Sequence, residues 1–261
     1  MDERGRISRI WVPAERALTV YLNDFELVTL MTLGATPSAL TVGYLRNQRL
    51  ISSPNEIIAM HLDWDAGTIH VKTREIIPDI EDRTSRRIIT TGCGQGTSYG
   101  GLMDEIENIR LNPNSKVRQT VVYHLVDQIR KQPSIYKQAR SVHACALFSV
   151  TGQLQYFVED VGRHNAVDSI AGLMWKEGLD GADFLFYTTG RLTSEMVIKS
   201  AQIGIPCLLS RSGTTQMGRE VAARVGMTLM TRCSGRHFIA VTYSDRIIWD
   251  ADTYGDQEQS A

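Results

Sequence analysis

From Val142 to Trp249 the sequence repeats one pattern: a short apolar run, a glycine-bearing polar loop, then an amphipathic segment closed by glycine. That alternation constrains the fold more than any other feature. The runs "VHACALFSV" and "LQYFVED" are linked around Gly152 by a connection short enough only for an antiparallel pair. A helix is expected next, with Asn165 as its cap and Asp168 at the third position. "FLFYTTG" is a continuously apolar strand, "SEMVIKSAQIG" a helix ending on Gly204 ahead of Pro206, and "PCLLS" another strand. "TQMGREVAARVG" reads as a helix ending on Gly226 and "TLMTRC" as a strand, while "FIAVTY" and "RIIW" close the pattern before a polar tail. Strands separated by helices pair in parallel, so the segment is an α/β unit with helices on both faces of a sheet.

Ligands of such sheets bind beyond the carboxyl ends of the strands. Those ends carry Asp160-Val161-Gly162-Arg163-His164, Thr189-Gly190-Arg191, Ser210-Arg211-Ser212-Gly213 and Thr231-Arg232-Cys233-Ser234-Gly235-Arg236. Guanidinium forks take phosphate bidentately, glycine lets backbone N–H groups approach, and helix N-termini add partial positive charge. Arg163, Arg191, Arg211, Arg232 and Arg236 therefore point to one anion pocket for a large phosphorylated ligand. No G-x-x-x-x-G-K-[ST] and no helix-opening G-x-G-x-x-G is present, which excludes the standard ATPase and dinucleotide-binding designs. In "EDVGRHNAVD", Glu159 and Asp160 are placed to hold Arg163 or His164, and His164 is an orienting or phosphate-contacting group. His143, early in an apolar strand, reads as a core histidine.

The first half follows different rules. "ALTVYLN" and "FELVTLMT" hinge at Asn23-Asp24 as a hairpin, Thr36-Pro37 opens a helix, and "GTIHVKT" alternates as a half-exposed strand. From Asp79 to Gly101 the pattern gives way to a charged, then glycine-rich stretch that is expected to be mobile. A helix from Lys116 to Lys131 shows an apolar stripe of Val117, Val121, Val122, Leu125, Val126 and Ile129, and Pro133 stops it. The expected division is a smaller α+β domain over 1–135 and an α/β domain with a polar tail over 136–261. A net charge of −1 and a pI near 6.6 exclude a broad basic nucleic-acid surface. No apolar run is long enough to span a membrane, and the charged start "MDERGRISRI" is no signal peptide, so a cytoplasmic location is expected.

Cys93, Cys145, Cys207 and Cys233 show no C-x-x-C spacing, which argues against a zinc ribbon or a dithiol redox centre. "HACALF" and "IPCLLS" place Cys145 and Cys207 in apolar strands and hence in the core. Cys93, in "TGCGQGT", has glycines and polar neighbours instead, so its thiol is either a reactive group beside open backbone or incidental to a tight turn.

The stretches "LMTLGATPSALTVGYLRNQRLISSPNEI", "VHACALFSVTGQLQYFVEDVGRHNAVDSIAG" and "TTGRLTSEMVIKSAQIGIPCLLSRSGTT" resemble the formate dehydrogenase accessory proteins, sulfurtransferases that act on the molybdenum cofactor. The resemblance runs from about Leu18 to Ile248. It implies a three-layer α/β/α, cytidine-deaminase-like carboxy-terminal domain and a homodimer. It further implies that a cysteine desulfurase loads sulfur as a persulfide on Cys93. The sulfur then passes to a molybdenum or tungsten bis-guanine-dinucleotide pterin bound as cargo for formate dehydrogenase. The family's nucleotide segment corresponds to Thr231, Arg232, Cys233, Ser234, Gly235 and Arg236, with Arg191 and His164 toward the metal end. The family loop reads C-G-x-C-G, and here the second cysteine position is Gly96, which removes a two-cysteine relay but leaves the one thiolate that carries one sulfur. A zinc deaminase would need H-x-E and P-C-x-x-C. This chain has "HAC" at His143–Cys145 and no C-x-x-C, so no zinc is expected. The alternative is a chaperone that binds the same cofactor without moving sulfur.

Overall fold

The computed structural model describes residues 1–77, 80 and 106–251. Its first sheet holds β1 (Arg16–Leu22), β2 (Phe25–Thr32), β3 (Ile57–Asp63) and β4 (Thr68–Thr73) in the order β2-β1-β4-β3. Asn23 and Asp24 both take positive φ, 50° and 69°, the mirror-image turn that suits the twist of a two-residue hairpin. The helix α1 (Pro37–Asn47) buries Leu40, Tyr44 and Leu45 among Leu18, Val20, Leu22 and Ile69 of this sheet.

The second sheet has six strands in the order β11-β10-β9-β8-β6-β7. Here β6 (His143–Ser149) pairs antiparallel with both β7 (Leu154–Asp160) and β8 (Phe184–Thr188). Only β8, β9 (Cys207–Ser210) and β10 (Thr228–Ser234) run parallel, and β11 (His237–Ala240) returns antiparallel at the edge. The helix that follows α2 (Gln119–Lys131) is the short α3 (Ile135–Ala139). Beyond it come α4 (Arg163–Lys176), α5 (Ser194–Gln202) and α6 (Gln216–Val225).

The mixed α/β class holds, and the layers are assigned by burial. Val167, Ile170, Met196, Val197, Val221 and Val225 of α4, α5 and α6 pack with Leu147, Phe186, Leu208 and Leu229 on one face. All three lie on that face because β7, β8, β9 and β10 point the same way and follow one another toward one edge, so each of the three right-handed crossovers puts its helix on the same side. The other face is covered by α2, whose Val122, Leu125 and Val126 meet Ala146, Phe148, Leu185 and Leu209. At roughly 1.5–3 kcal/mol per fully buried side chain, that stripe ties α2 firmly to the second sheet. The division expected at residue 135 places this helix in the first unit, whereas its apolar stripe packs on the second sheet. It begins at Gln119 rather than Lys116 because Val117 and Arg118 form β5, which pairs with β12 (Ile247–Ile248). Asp250 then caps it, accepting from the Thr120 backbone N–H at 3.0 Å and the Thr120 hydroxyl at 2.8 Å.

The two sheets are joined through α1 and α4. A Cβ on Gly43 would run into the carbonyl oxygen of Asp168, and one on Gly172 into that of Ala39, so the helices cross with backbones in contact. No helix among the described residues is long and apolar enough to cross a membrane.

Candidate functional site

The carboxyl ends of β7, β8, β9 and β10 and the start of β6 share one end of the second sheet. His143 is level with Asp160, Cys145 with Thr188, and Thr188 with Ser210. The loops there are braced by their own hydroxyls. Ser210 Oγ donates to the Gly190 carbonyl at 2.6 Å and accepts from Ser212 N at 2.8 Å, and Thr188 Oγ1 accepts from Gly190 N at 3.1 Å. The Arg232 N–H continues the chain of contacts to the Ser212 carbonyl at 2.9 Å.

The expected five-arginine pocket divides between the two faces of the sheet. Arg163 is buried on α4, its Cβ 3.3 Å from where a Gly190 Cβ would stand. Arg211 is on the α2 side, where it lines a cavity of about 90 Å³ with Tyr136, Lys137, Tyr187, Cys233 and Gly235. Arg236 lines an adjoining cleft of about 820 Å³ between α2 and the β10–β11 turn, with Thr120, Tyr123, Arg130 and Asp250. Arg191, Arg211, Arg232 and Arg236 are exposed, and among the described residues no hydrogen bond or ion pair holds their guanidinium groups. Exposed cations without hydrogen bonds or ion pairs among the described residues, of which Arg211 and Arg236 line the two hollows, make a surface that can take an anion.

The "EDVGRHNAVD" segment is built differently. Glu159 and Asp160 do not hold Arg163 or His164. Glu159 accepts from Ser134 Oγ, Ile135 N and Tyr136 N, each at 2.8 Å, and so caps α3. Asp160 accepts from the Thr32 hydroxyl, Gly162 N at 3.0 Å, Leu33 N at 3.3 Å and Asn165 Nδ2 at 2.9 Å. Asn165 also donates to the Met31 carbonyl at 2.7 Å, and α4 starts at Arg163 with Gly162 as its cap rather than at Asn165. These bonds fasten the end of β2 to the start of α4.

His164, expected beside a ligand, is only 2% exposed. Its Nε2 lies 3.2 Å from Glu195 Oε2 on α5, a close electrostatic contact without hydrogen-bond alignment. Burial, with Lys199 and Arg163 nearby, pulls its pKa down to about 2, so the ring is neutral. One turn deeper, Lys199 Nζ donates to Asp168 at 2.8 and 2.6 Å, and Asn47 Nδ2 donates to Asp168 Oδ1 at 2.6 Å. Two helices starting from the same end of the sheet thus meet through paired rungs, 164 with 195 and 168 with 199. His143 is half-buried at the strand ends rather than in the core, its pKa lowered by burial and by Arg163 and Arg191.

The cysteines separate cleanly. Cys145 is 0%, Cys207 4% and Cys233 1% exposed. Burial pushes the thiols of Cys145 and Cys233 up to about 12, and that of Cys207 upward as well. Cys233, expected among the ligand contacts, turns its thiol into the core and leaves Ser234, Gly235 and Arg236 outside. Thr231 is also buried. Cys93 and its loop lie outside the described residues, as does the stretch around Thr90–Gly101. The sequence reading did not single out Tyr123, Phe238 or Trp249, which no local signal connects. Their rings meet only because α2 crosses the sheet face near β11.

Residues 13–248 match the model of the FdhD/NarQ family. The chain is 30% identical over 241 residues to a sulfur carrier protein FdhD of Sulfolobus acidocaldarius, covering 92% of each chain. It is 29% identical over 219 residues to the protein of that name from Listeria innocua, covering 83% of this chain and 84% of the other. A crystal structure of a putative formate dehydrogenase accessory protein from Desulfotalea psychrophila superposes with a TM-score of 0.72 at 27% identity, covering 90% of both chains. With about nine-tenths of its length inside one family model, the chain belongs to the FdhD/NarQ family.

Proposed function

We propose that this protein carries sulfur in the maturation of a formate dehydrogenase, acting as a sulfurtransferase through Cys93. The observation that carries the reading is the state of the other cysteines. A thiolate is the nucleophile in sulfur transfer, and Cys145, Cys207 and Cys233 are buried with their thiols held protonated. Of the chain's 4 cysteines, that leaves Cys93. A cysteine desulfurase presents a persulfide. The Cys93 thiolate attacks its terminal sulfur, the desulfurase thiolate leaves, and Cys93 becomes the persulfide. Handing that sulfur on returns Cys93 to a thiolate when the acceptor supplies the electron pair, as a reduced metal centre oxidised from +4 to +6 would in taking a sulfido ligand, so one cysteine completes the cycle although Gly96 stands at the second position.

The acceptor in this reading is a molybdenum or tungsten bis-guanine-dinucleotide pterin, bound as cargo. Arg211 and Arg236 from the two hollows, with the exposed Arg191 and Arg232 nearby on the loops, would meet its phosphates, and the Ser234–Gly235 turn would offer backbone N–H groups. His164 supports the floor beneath Arg163 and does not meet the ligand directly. The protein would act as a homodimer without nucleic acid or a membrane.

The test is to incubate the protein with a cysteine desulfurase and L-cysteine and weigh it intact. One added sulfur is expected, absent in Cys93→Ala, together with loss of client activation by that variant. Sulfur on any other cysteine overturns the assignment. Client activation that survives Cys93→Ala means that the protein is a chaperone for the cofactor.

A further inference from the structure

We propose that the amino-terminal arm, residues 6–12, pairs with the open edge of β3 in a second copy of this chain and seats apolar side chains in the groove beside that strand. The arm forms no helix or strand of its own, and Ile7, Ile10, Trp11 and Val12 are each between 73% and 90% exposed. None of them joins an apolar cluster of either sheet. Four large apolar side chains within six residues, all left in water, mark a surface that another molecule covers. Isoleucine, valine and tryptophan favour extended backbone, and Pro13 ends the run just before β1. The arm precedes the matched stretch 13–248, so it belongs to this chain's own sequence rather than to the family pattern.

The seat has matching chemistry. β3 pairs with β4 alone, and among the described residues no backbone hydrogen bond uses its outer side. Its stretch "IIAMHL" carries none of the lysines, prolines or carboxylates that guard such an edge. A bulge falls at Ile58, which is 58% exposed, and leaves 59–63 in regular register. The bulge sets Ile57 opposite Thr73 and Met60 opposite Val71, both inward-facing residues of β4. Ile57 and Met60 therefore turn toward the helices, where they line a groove of about 560 Å³ with Ala39 and Val42 of α1 and Leu173 of α4. A peptide laid along an open edge gains backbone hydrogen bonds and puts alternate side chains into such a groove, here Ile10 and Val12. Within one chain, β4 and β3 stand between β1 and that edge, so the arm would have to cross three strand spacings, roughly 14 Å. Only the link from Val12 to Arg16 is there to do it, and its full extension is also roughly 14 Å. That path is a taut line around the β3–β4 turn. A second copy has no such tether, and two arms exchanged about a twofold axis cover each other's edges.

The exchange specifies how two copies hold one another and does not depend on sulfur transfer. Cross-linking tests it. Full-length Ile10→Cys and Met60→Cys chains, mixed and oxidised with copper phenanthroline, should give a disulfide-linked dimer that neither variant forms alone. The double variant Ile10→Cys/Met60→Cys should give linked dimer as well. A linked monomer from the double variant means that the arm folds onto its own chain, and no link in either experiment means that it does not reach the groove; each result overturns the exchange. Sedimentation velocity supplies the second measurement. Deleting residues 2–12, or Trp11→Asp in the full chain, should weaken self-association about tenfold or more, the scale of a lost interface anchor. Circular dichroism of both should stay unchanged, because the arm joins no apolar cluster of either sheet. A dimer equally tight without the arm overturns the exchange and leaves the homodimer reading standing, with its contact elsewhere. An unmodified chain that stays monomeric overturns both.

Discussion

The segments Asp160–Asp168 and Thr231–Arg236 leave strands at the same end of one sheet, and both are crowded with polar and charged side chains. In the first, the crowding is consumed internally. Asp160 gathers four donors, Asp168 pairs with Lys199 and Asn47, and Asn165 reaches across to Met31. In the second, the guanidinium groups of the exposed Arg232 and Arg236 have no hydrogen bonds or ion pairs among the described residues. The difference comes from what lies above each strand end. The unit of β1–β4 and α1 closes over the first and buries it, and a buried polar group must find partners. Nothing described closes over the second. Density of charge in a loop therefore does not identify a ligand site. Charge that the fold leaves unpaired does.

The largest effect that would sharpen this contrast is on the buried side. Asp168→Ala removes the carboxylate that Lys199 meets in the interior, and breaking a buried pair from one side costs about 3–5 kcal/mol. Urea unfolding should show that loss, and an unchanged midpoint would mean that the segment is not the joint described above. Next comes Gly172→Ala. Alanine gains up to about 1 kcal/mol in a helix interior, but its Cβ meets the Ala39 carbonyl, so overpacking of roughly 1–3 kcal/mol or more should win. Thermal unfolding decides the sign.

The buried side should also be the pH-sensitive one. His164 falls from 6.5 to about 2 in the fold, so between those values the unfolded chain binds the extra proton. Stability is thus lost as pH drops below about 6.5, by at most about 1.4 kcal/mol per pH unit from this residue. The lowered pKa of His143 acts in the same sense. The carboxyl of Asp168 is pushed up from 3.8 by burial against the pull of Lys199, so in the range just above 3.8 it acts in the opposite sense. Denaturant midpoints between pH 7 and 5 should decline for the native chain and flatten in His164→Gln. The smallest effect on stability belongs to the open side. Arg236→Ala should change unfolding by no more than about 0.5 kcal/mol. It should nonetheless weaken GDP binding by about tenfold or more, the scale of a lost charge-assisted contact of roughly 1.5–3 kcal/mol. Equal GDP affinity in calorimetry would break the comparison from that end.

Much of the fold is local and was readable in the residues. The Asn23-Asp24 turn, the helix ends at Gly204 and Gly226, the continuously buried β8 and the core cysteines Cys145 and Cys207 all follow from backbone preference or apolar runs. These features depend on neighbours a few positions away, which a sequence displays directly. The strand-end loops and their arginines were legible for the same reason.

Tertiary structure alone decided which loop groups are free. Whether α2 covers the second sheet depends on apolar stripes more than a dozen residues from their targets, and the pairing of the preceding β5 with β12 spans nearly half the chain. Glu159 could cap α3 or hold an arginine with equal chemical reason, and Asp160 could meet a ligand or the end of β2. Packing settled both, because the half-buried Glu159 and the buried Asp160 take the donors that the fold brings to them, and packing is a property of surfaces that meet only when the chain is folded.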